Sequence, residues 1–415
     1  MALSKLHSTC AWGANSSTRS GQGVRPGSQP AVRAPHAQPR PRTRPQLRDA
    51  NLCSSFGLWR ARPVVWARAS TVYHEVSVPL APPGSEGADE FEMREPPTRV
   101  TATGRIVAIG DLHGDMEKTL ASLRLARVID DGDGDGDGAA PRWVGGDAVV
   151  VQLGDVLDRG NVEIGIIKLL IDLDAQAQKE GGGVYMLNGN HESLNVCGDF
   201  RYVTPGAFIE SAVEFGIPRD TAMRSWDGCI QARAALFLPG GRVARMLSRN
   251  PTVLVVNDTA FAHGGLLPTH VQYGIERMNA EVAAWMRRDR VEEGFASPPF
   301  LAMGDGKSVM WNRQLSVEKW VNPVDRFRAV SMVSQALAGV GAKRLVVGHT
   351  PQMRGANVDC DGMVWRMDVG MSSGVLDAPV SILEILKDAS GESVCRVITE
   401  GEQLASFDEA ALVDV

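Results

Sequence analysis

The sequence predicts an α/β fold in which helices cover a mixed or parallel sheet. From residue 105 onward, short apolar strands alternate with amphipathic helices in the order βαβαβ. The strands are runs of Val, Ile and Leu, as expected of strands that are buried on both faces. Each of the first three strands ends in a Gly-Asp or Gly-Asn turn, and open α/β sheets bind their ligands at the carboxyl ends of the strands.

The first 74 residues differ in composition from the rest of the chain. They contain 11 basic side chains, one acidic side chain and much Pro and Ser, without apolar periodicity. An Arg-rich, Ser-rich and acid-poor start is typical of a disordered organelle transit peptide. High Pro and Gly content disfavours a long amphipathic helix, which favours the chloroplast stroma over the mitochondrion, and we expect processing near residues 64–70. A basic arm that binds nucleic acid is the alternative.

Residues 75–415 have a different charge balance. They carry 32 basic and 48 acidic side chains, whereas the whole chain has a net charge of −6. This acidic balance disfavours nucleic acid as a partner. The four Cys of this part form no C-x-x-C pair, which suits a reducing compartment and argues against a thiolate metal site. No apolar run has the length that a membrane span needs.

The remaining chain is predicted to form one folded domain with flanking segments. Residues 75–100 are predicted to be a Pro- and Glu-rich linker or surface arm. Residues 101–390 are predicted to form the domain, and residues 391–415 a C-terminal tail. Two mostly helical insertions, 196–250 and 266–325, lie between segments that carry reactive residue types. They therefore surround a site and do not form a second domain.

The elements of the domain follow in order. "RIVAIGDLHGD" predicts a strand and then a helix over 116–127, and "AVVVQLGDVLDRG" predicts a strand and a helix over 162–180. "VYMLNGNHE" gives the third strand. Further helices are predicted over 205–215 and 278–290. The last three strands are "KRLVVGHTP", "MVWRMDVG" and "VSILEIL".

An acidic loop, "DDGDGDGDGAAP", separates the first helix from the second strand. Its D-x-D-x-D-G fragment resembles the start of a calcium-binding loop, whose twelfth position must be a bidentate Glu. That position is Val144. We therefore interpret the segment as a solvated acidic insertion.

Side chains that ligate metals recur where the predicted strands end. Four of the five histidines beyond His74 lie at such ends, beside Gly. A single histidine there is explained by a capped turn or a core hydrogen bond, but four repetitions point to a shared site. The residues are Asp111 and His113 in "GDLHGD", Asp155, Asp158 and Arg159 in "GDVLDRG", Asn190 and His191 in "GNHE", His263 in "AHGGL", and His349 in "VVGHTP".

This donor set predicts a site for two metal ions. Carboxylate, imidazole and carboxamide groups without a thiolate suit Mn²⁺, Fe, Zn²⁺ or Mg²⁺. The ligands suffice for two ions, and a carboxylate can bridge them. Two ions about 3.5–4 Å apart can generate hydroxide at neutral pH and stabilise an in-line phosphoryl displacement.

Five motifs of the chain occur in the order "GDLHGD", "GDVLDRG", "GNHE", "HGG" and "GHT". With these motifs, residues 105–386 resemble the phosphoprotein-phosphatase branch of the calcineurin-like metallophosphoesterases. Two further stretches are similar to the Shewanella-like protein phosphatases: "SLNVCGDFRYV" after GNHE and "DVGMSSG" near the end. The predicted transit peptide, residues 1–74, would suit that group's chloroplast-directed members. The resemblance implies a metallophosphoesterase β-sandwich of mixed sheets flanked by helices, with helical insertions.

The resemblance also implies the metal ligands. Two ions are expected, of Mn, Fe or Zn, with Asp155 as the bridge between them. The first ion would be held by Asp111, His113 and Asp155, and the second by Asp155, Asn190, His263 and His349.

The same resemblance implies the groups that act on the substrate. His191 would be the general acid that protonates the leaving oxygen, oriented by Asp158. Arg159 would bind phosphate oxygens in a fork, which a guanidinium does better than an ammonium. Arg313 in "VMWNRQ" is the choice for a second phosphate-binding arginine. The competitors for that role are Arg201 and Arg224.

The implied function is a metal-dependent protein phosphatase. Activated water would attack phosphoserine, phosphothreonine or phosphotyrosine of a phosphoprotein in one step. A small-molecule phosphoesterase such as a diadenosine tetraphosphate hydrolase shares several of these motifs and is the first alternative. A non-catalytic scaffold that binds phosphoproteins is the second. The sequence indicates no particular regulatory subunit.

Overall fold

The computed structural model describes residues 94–130, 140–292 and 294–401. The predicted transit peptide, most of the predicted linker and residues 131–139 of the acidic loop lie outside these ranges. Within them, no helix combines the length and the apolar character needed to cross a bilayer.

The described strands are numbered in chain order. They are β1 (Arg99–Val100), β2 (Ile106–Ile109), β3 (Ile129–Asp130), β4 (Arg142–Trp143), β5 (Val149–Gln152), β6 (Gly183–Met186), β7 (Val253–Val256), β8 (Thr259–Ala262), β9 (Arg290–Val291), β10 (Gly294–Phe295), β11 (Arg344–Val347), β12 (Asn357–Asp359), β13 (Val364–Arg366), β14 (Ser381–Lys387) and β15 (Ser393–Thr399).

The described helices are numbered in the same way. They are α1 (Met116–Leu125), α2 (Ile164–Ala177), α3 (Asn190–Val196), α4 (Pro205–Glu214), α5 (Arg219–Ala222), α6 (Trp226–Phe237), α7 (Arg242–Leu247), α8 (Pro268–Tyr273), α9 (Ile275–Arg287) and α10 (Pro323–Val340).

The larger sheets contain both parallel and antiparallel strands. One has the described order β15-β14-β2-β5-β6 and the other the order β1-β7-β8-β11-β13-β12. In the first, β2, β5 and β6 are parallel and β14 runs antiparallel to β2. In the second, β8, β11 and β13 are parallel, and β7 runs antiparallel to β8. The prediction of mixed sheets flanked by helices is confirmed.

Alternate residues of the strands pack on opposite sides of each sheet. Ile106 and Ala108 of β2 belong to one apolar cluster with Phe261 of the second sheet, so this cluster joins the two sheets. Val107 and Ile109 belong to the other cluster, which includes the buried face of α2. β2 is thus buried on both faces, which explains its continuous apolar sequence.

The register of the parallel strands brings their carboxyl ends to one level. Ile109, Gln152 and Met186 are paired neighbours at the ends of β2, β5 and β6. In the second sheet, Phe261 near the end of β8 pairs with Val346 near the end of β11. The turns that follow these strands therefore start close together, and this positions the site.

Several predicted boundaries differ from the structure. The first helix ends at Leu125 and not at residue 127, because Arg127 has a φ of 52°. The predicted helix over 278–290 runs over Ile275–Arg287 and ends at Arg288, which is left-handed with a φ of 62°. Residues 296–322 contain neither helix nor strand, although the sequence predicted mostly helix there. Adjacent prolines and two glycines in "SPPFLAMGDGK" prevent a continuous helix.

The ends of the domain extend beyond the predicted limits. The predicted C-terminal tail starts at residue 391, but β15 pairs with β14 along its length, for example Val397 with Leu383. At the other end, β1 adds to β7 in parallel, so the end of the predicted arm is part of a sheet. A strand at a sheet edge has few sequence constraints, because only one side of it is paired.

Candidate metal centre

The polar residues that follow the strands converge in one buried site. Asp111 follows β2, Asp155 follows β5, His263 follows β8 and His349 follows β11. The donor atoms form two groups, and within each group they lie within 4.8 Å of one another. One group is His113, Asp155 and His191, and the other is Asp155, His263 and His349. Every member is at most 6% exposed. The structure thus brings together residues spread over more than 230 positions.

One carboxylate oxygen lies close to imidazoles of both groups. Asp155 Oδ2 lies 3.2 Å from His263 Nε2, 3.8 Å from His191 Nε2 and 4.0 Å from His113 Nε2. The other oxygen, Asp155 Oδ1, accepts a hydrogen bond from the backbone N–H of His191 at 2.9 Å. Asp155 therefore has the position that a bridging ligand needs.

The hydrogen bonds of two histidines prepare them to bind a cation. His113 Nδ1 donates to Leu157 O at 2.9 Å, and His263 Nδ1 donates to Leu153 O at 2.8 Å. Because a carbonyl oxygen only accepts, each Nδ1 carries a proton, so in the neutral imidazole the lone pair lies on Nε2. Burial opposes the charged form of His263, but Asp155 raises its pKa, so a cation would displace a proton from His263 Nε2. Both Nε2 atoms face Asp155, and Asn190 Oδ1 lies 2.9 Å from His263 Nε2. Neutral imidazole, carboxylate and amide oxygen are suitable ligands for the expected metals.

His191 has a different hydrogen-bond partner. Its Nδ1 lies 2.5 Å from Asp158 Oδ2, so its partner is a carboxylate and not a backbone carbonyl. Burial opposes the charged form, but Asp155 and the hydrogen bond to Asp158 raise the pKa of His191. In contrast, burial and the neighbouring His191 lower the pKa of His113 to about 4. Because of these different environments, the imidazole of His191 is suited to donating a proton and that of His113 to binding a cation.

Asp368 belongs to the site, although the sequence reasoning missed it. Burial, Asp368 and Asp155 raise the pKa of Asp111 well above its usual range. Burial also raises the pKa of Asp368 to about 6. Asp111 further accepts the backbone N–H of His349, at 3.1 and 3.3 Å. Asp368 follows β13 closely, so the strand-end signal was present in "RMDVG", but no histidine accompanied it.

Several site residues have backbone conformations that are rare for residues with a side chain. Positive φ values cost free energy outside glycine and persist where surrounding structure enforces them, often at functional sites. The site residues with positive φ are His113 (46°), Asp155 (57°), Asp158 (70°), Arg159 (67°) and His349 (69°).

Two glycines permit the close approach of the motifs. A Cβ atom on Gly189 would lie 2.3 Å from Asp155 Oδ1, and one on Gly348 would lie 2.4 Å from Asp111 Oδ1. Any side chain at these positions would displace a candidate ligand. The Gly of "GNHE" and the Gly of "GHT" are therefore explained by packing between turns.

Glu192 holds the turn that carries Asp155. Its carboxylate accepts the backbone N–H groups of Asp155 and Val156 at 2.8 Å, of Leu157 at 3.1 Å and of Gly189 at 2.7 Å. These bonds satisfy buried donors and join two strand ends. Glu192 is thus a structural member of the site.

The predicted phosphate-binding arginines lie around the site. The Arg159 side chain is exposed, and its guanidinium lies 5.3 Å from the centre of the Tyr202 ring. Tyr202 also lies against His191, with ring centroids 5.2 Å apart, and sequence reasoning had not selected it. Arg313 is exposed. Desolvation lowers its pKa, while Asp155 and two further site carboxylates oppose this shift, so Arg313 is within electrostatic reach of the site.

The competing arginines have other surroundings. The Arg201 guanidinium makes two hydrogen bonds to the carboxylate of Asp199, at 2.8 and 2.5 Å. The side chain of Arg224 is exposed on the segment between α5 and α6.

Comparisons with known proteins show the family of this chain. The calcineurin-like phosphoesterase family matches residues 104–353. Shewanella-like protein phosphatase 2 of Arabidopsis thaliana is 39% identical over 321 residues, which cover 70% of this chain and 78% of the relative. Shewanella-like protein phosphatase 1 of Plasmodium berghei is 31% identical over 270 residues, 65% of this chain and 67% of the relative.

A solved structure shares the fold. The protein-tyrosine phosphatase of a psychrophilic Shewanella species matches with a TM-score of 0.52 and 21% identity, over 73% of this chain and 83% of that one. The fold and the site define a metal-binding phosphoesterase of the calcineurin-like class. Within that class, the chain belongs to the Shewanella-like protein phosphatases.

We predict that metal affinity falls as the pH decreases through about 6. Asp368 has a pKa of about 6 and that of Asp111 is raised, so below this pH a carboxyl of the pair holds a proton that a cation must displace. Competition with a chromophoric chelator at about pH 5 and about pH 7.5 measures the affinity. The control variant Asp172→Asn, at an exposed position, should show the same pH dependence of metal affinity as the wild type. If the wild-type protein binds metal equally well at both pH values, the prediction is wrong.

Proposed function

We propose that this metal-dependent phosphatase hydrolyses phosphoserine, phosphothreonine or phosphotyrosine in proteins. The observation that carries the proposal is the position of Asp155 Oδ2 between two groups of imidazoles, beside the Asp158–His191 pair. The names of the Arabidopsis and Plasmodium relatives support a protein substrate. The Shewanella relative of known structure is called a protein-tyrosine phosphatase, so phosphotyrosine belongs among the substrates to test.

The proposed ligands divide into two sets that share Asp155. The donors are oxygen and nitrogen atoms, and the two groups contain no cysteine, which favours Mn, Fe or Zn. When bound, two such ions would supply a nucleophile from water and stabilise charge on the phosphoryl oxygens. The first set is Asp111, His113 and Asp155, and the second is Asp155, Asn190, His263 and His349.

His191 is the proposed general acid. Asp158 accepts the Nδ1 proton, and Asp155 and Asp158 both favour the imidazolium. His191 Nε2 can then deliver a proton to the ester oxygen as the P–O bond breaks.

Arg159 and Arg313 are the proposed phosphate-binding residues. A guanidinium can donate two parallel hydrogen bonds to phosphate oxygens. Arg159 is placed by its positive φ and by its backbone N–H, which donates to Tyr202 O at 3.0 Å. Tyr202 is proposed to contact the leaving side of the substrate, because its ring lies beside His191.

A comparison of substrate classes tests the function. We expect faster turnover, with Mn²⁺ present, on phosphopeptides than on diadenosine tetraphosphate. Asp155→Asn should lower the phosphopeptide rate by about 10³-fold, because both proposed ligand sets would lose the charge of Asp155. Asp172→Asn is the exposed control. A preference for the dinucleotide would favour the small-molecule alternative. Binding of phosphopeptides without turnover would favour a scaffold.

Substitution of the arginines tests their roles. We expect Arg159→Ala to lower kcat/KM on a phosphopeptide by about 10²-fold, because one donor to the charged phosphoryl group is lost. Arg313→Ala should have a smaller effect of the same sign. Arg201→Ala is the matched control, since Arg201 is paired with Asp199, and it should stay close to wild type. A larger loss in Arg201→Ala than in Arg313→Ala would exchange their assignments.

We also propose that residues 1–74 direct the protein to the chloroplast stroma. The support is the Arg-rich, acid-poor composition of this segment. A fusion of residues 1–74 to a fluorescent protein should accumulate in the stroma of plant cells, whereas the unfused fluorescent protein should not. Accumulation in mitochondria would replace the proposal with its alternative.

A further inference from the structure

A ring of buried hydrogen bonds lies behind the Asp158–His191 pair, and Arg233 also donates to Ser211 Oγ at 3.1 Å. Arg233 donates from one terminal nitrogen to Glu163 Oε2 at 2.6 Å. It donates from Nε and the other terminal nitrogen to Asn195 Oδ1, at 3.1 and 2.7 Å. Asn195 Nδ2 donates to Asp158 Oδ1 at 3.0 Å, and the backbone N–H of Asp158 donates to Glu163 Oε1 at 2.6 Å. Both routes from Arg233 therefore end at Asp158. We call Asp158, Glu163, Asn195 and Arg233 the buried polar ring.

Burying the polar ring costs desolvation free energy, and a gain in stability does not explain why these polar residues are present. The side chains of Arg233 and Glu163 are both 0% exposed. The guanidinium lies 4.1 Å from the centre of the Phe237 ring, and Phe200 and Phe208 lie within 6 Å. Apolar residues of similar volume are often as stabilising as a buried ion pair, because both ions lose their hydration. What apolar residues cannot supply is a set of directed hydrogen bonds towards Asp158.

Arg233 determines which end of the Asn195 amide faces Asp158. A carboxamide has one accepting oxygen and one donating nitrogen of nearly equal shape, so its orientation depends on its partners. Two donors from Arg233 fix the oxygen, and the nitrogen must then point to Asp158 Oδ1 and to His191 O, each at 3.0 Å. The reversed amide would place an oxygen against the Asp158 carboxylate. Without Arg233, the energy difference between the two orientations is smaller.

Glu163 acts on the backbone of the same residue. Asp158 has a φ of 70°, a conformation that needs support from its neighbours. The bond from the Asp158 N–H to Glu163 Oε1 supplies that support, and Arg233 holds the other oxygen of Glu163. Arg233 thus fixes the side chain of Asp158 through Asn195 and its backbone through Glu163. The oxygen that remains, Asp158 Oδ2, is directed at His191 Nδ1.

We infer that Arg233 is a positioning residue for proton transfer from His191 to the leaving group. The inference rests on the proposed function. In that reaction, the oxygen of water bonds to phosphorus, the P–O ester bond breaks with its electron pair on the leaving oxygen, and the proton on His191 Nε2 moves to that oxygen. The products are inorganic phosphate and an alcohol or phenol. Arg233 does not touch the substrate, since it acts through Asn195 and Glu163.

Leaving groups of different acidity distinguish this role from a general structural one. A phenol with a pKa near that of tyrosine, about 10, needs a proton as it leaves, whereas dinitrophenol leaves readily as an anion. Arg233→Lys keeps a charge for Glu163 but lacks the fork that holds Asn195. We expect it to lower kcat on phenyl phosphate by about 10²-fold and kcat on 2,4-dinitrophenyl phosphate by less than about threefold.

The matched control is Arg344→Lys. Arg344 is also buried and paired, with Asp258 Oδ1 at 2.8 Å, but it lies at the start of β11, at the opposite end from His349. Its substitution should change kcat on both aryl phosphates by the same factor. An equal loss on both substrates in Arg233→Lys, or no loss on phenyl phosphate, would overturn the inference.

A second variant decides the question if Arg233→Lys does not fold. The double variant Glu163→Gln and Arg233→Met removes both charges, so no unpaired ion stays buried. A loss restricted to phenyl phosphate supports the inference, and an equal loss on both substrates contradicts it. Wild-type protein that hydrolyses neither aryl phosphate would instead count against the proposed function.

Discussion

The position of the Asp155 carboxylate is the constraint on which the rest of the site depends. Oδ2 lies within 4.0 Å of three imidazoles, and Oδ1 accepts the backbone N–H of His191. Burial would raise the pKa of Asp155, but His263 and His191 hold it well below the usual range. The carboxylate therefore remains charged in a buried place. A charge there is stable only with partners, and these are the candidate ligands His113 and His263 together with the proposed general acid His191.

The fold provides this position through parallel strands and shared turns. β2, β5 and β6 end at one level, and Glu192 joins the turns after β5 and β6 through four backbone N–H groups. The turns themselves contain positive φ values, which cost free energy. The apolar clusters of the sandwich offset that cost and hold the strained turns in place.

The sequence predicted much of the fold and of the candidate site, for identifiable reasons. The six proposed ligands were visible because each one follows an apolar strand and lies beside glycine, a pattern that does not depend on distant contacts. Asp368 follows β13 in the same way, but without a histidine its carboxylate resembled an ordinary strand end. The edge strand β15 and residues 296–322 were misjudged, because local composition constrains a sheet edge and an irregular segment only weakly.

By itself, the sequence determined the class of fold and the types of group that the strand ends present, because periodicity and turn chemistry are local properties. The tertiary structure alone decided which oxygen of Asp155 is shared, that Tyr202 lies between Arg159 and His191, and that Arg233 reaches Asp158 through Asn195 and Glu163. Arg233 is in the middle of α6, 70 positions from Glu163. No local pattern marks such a residue, since its partners are set by how helices pack on the sheet.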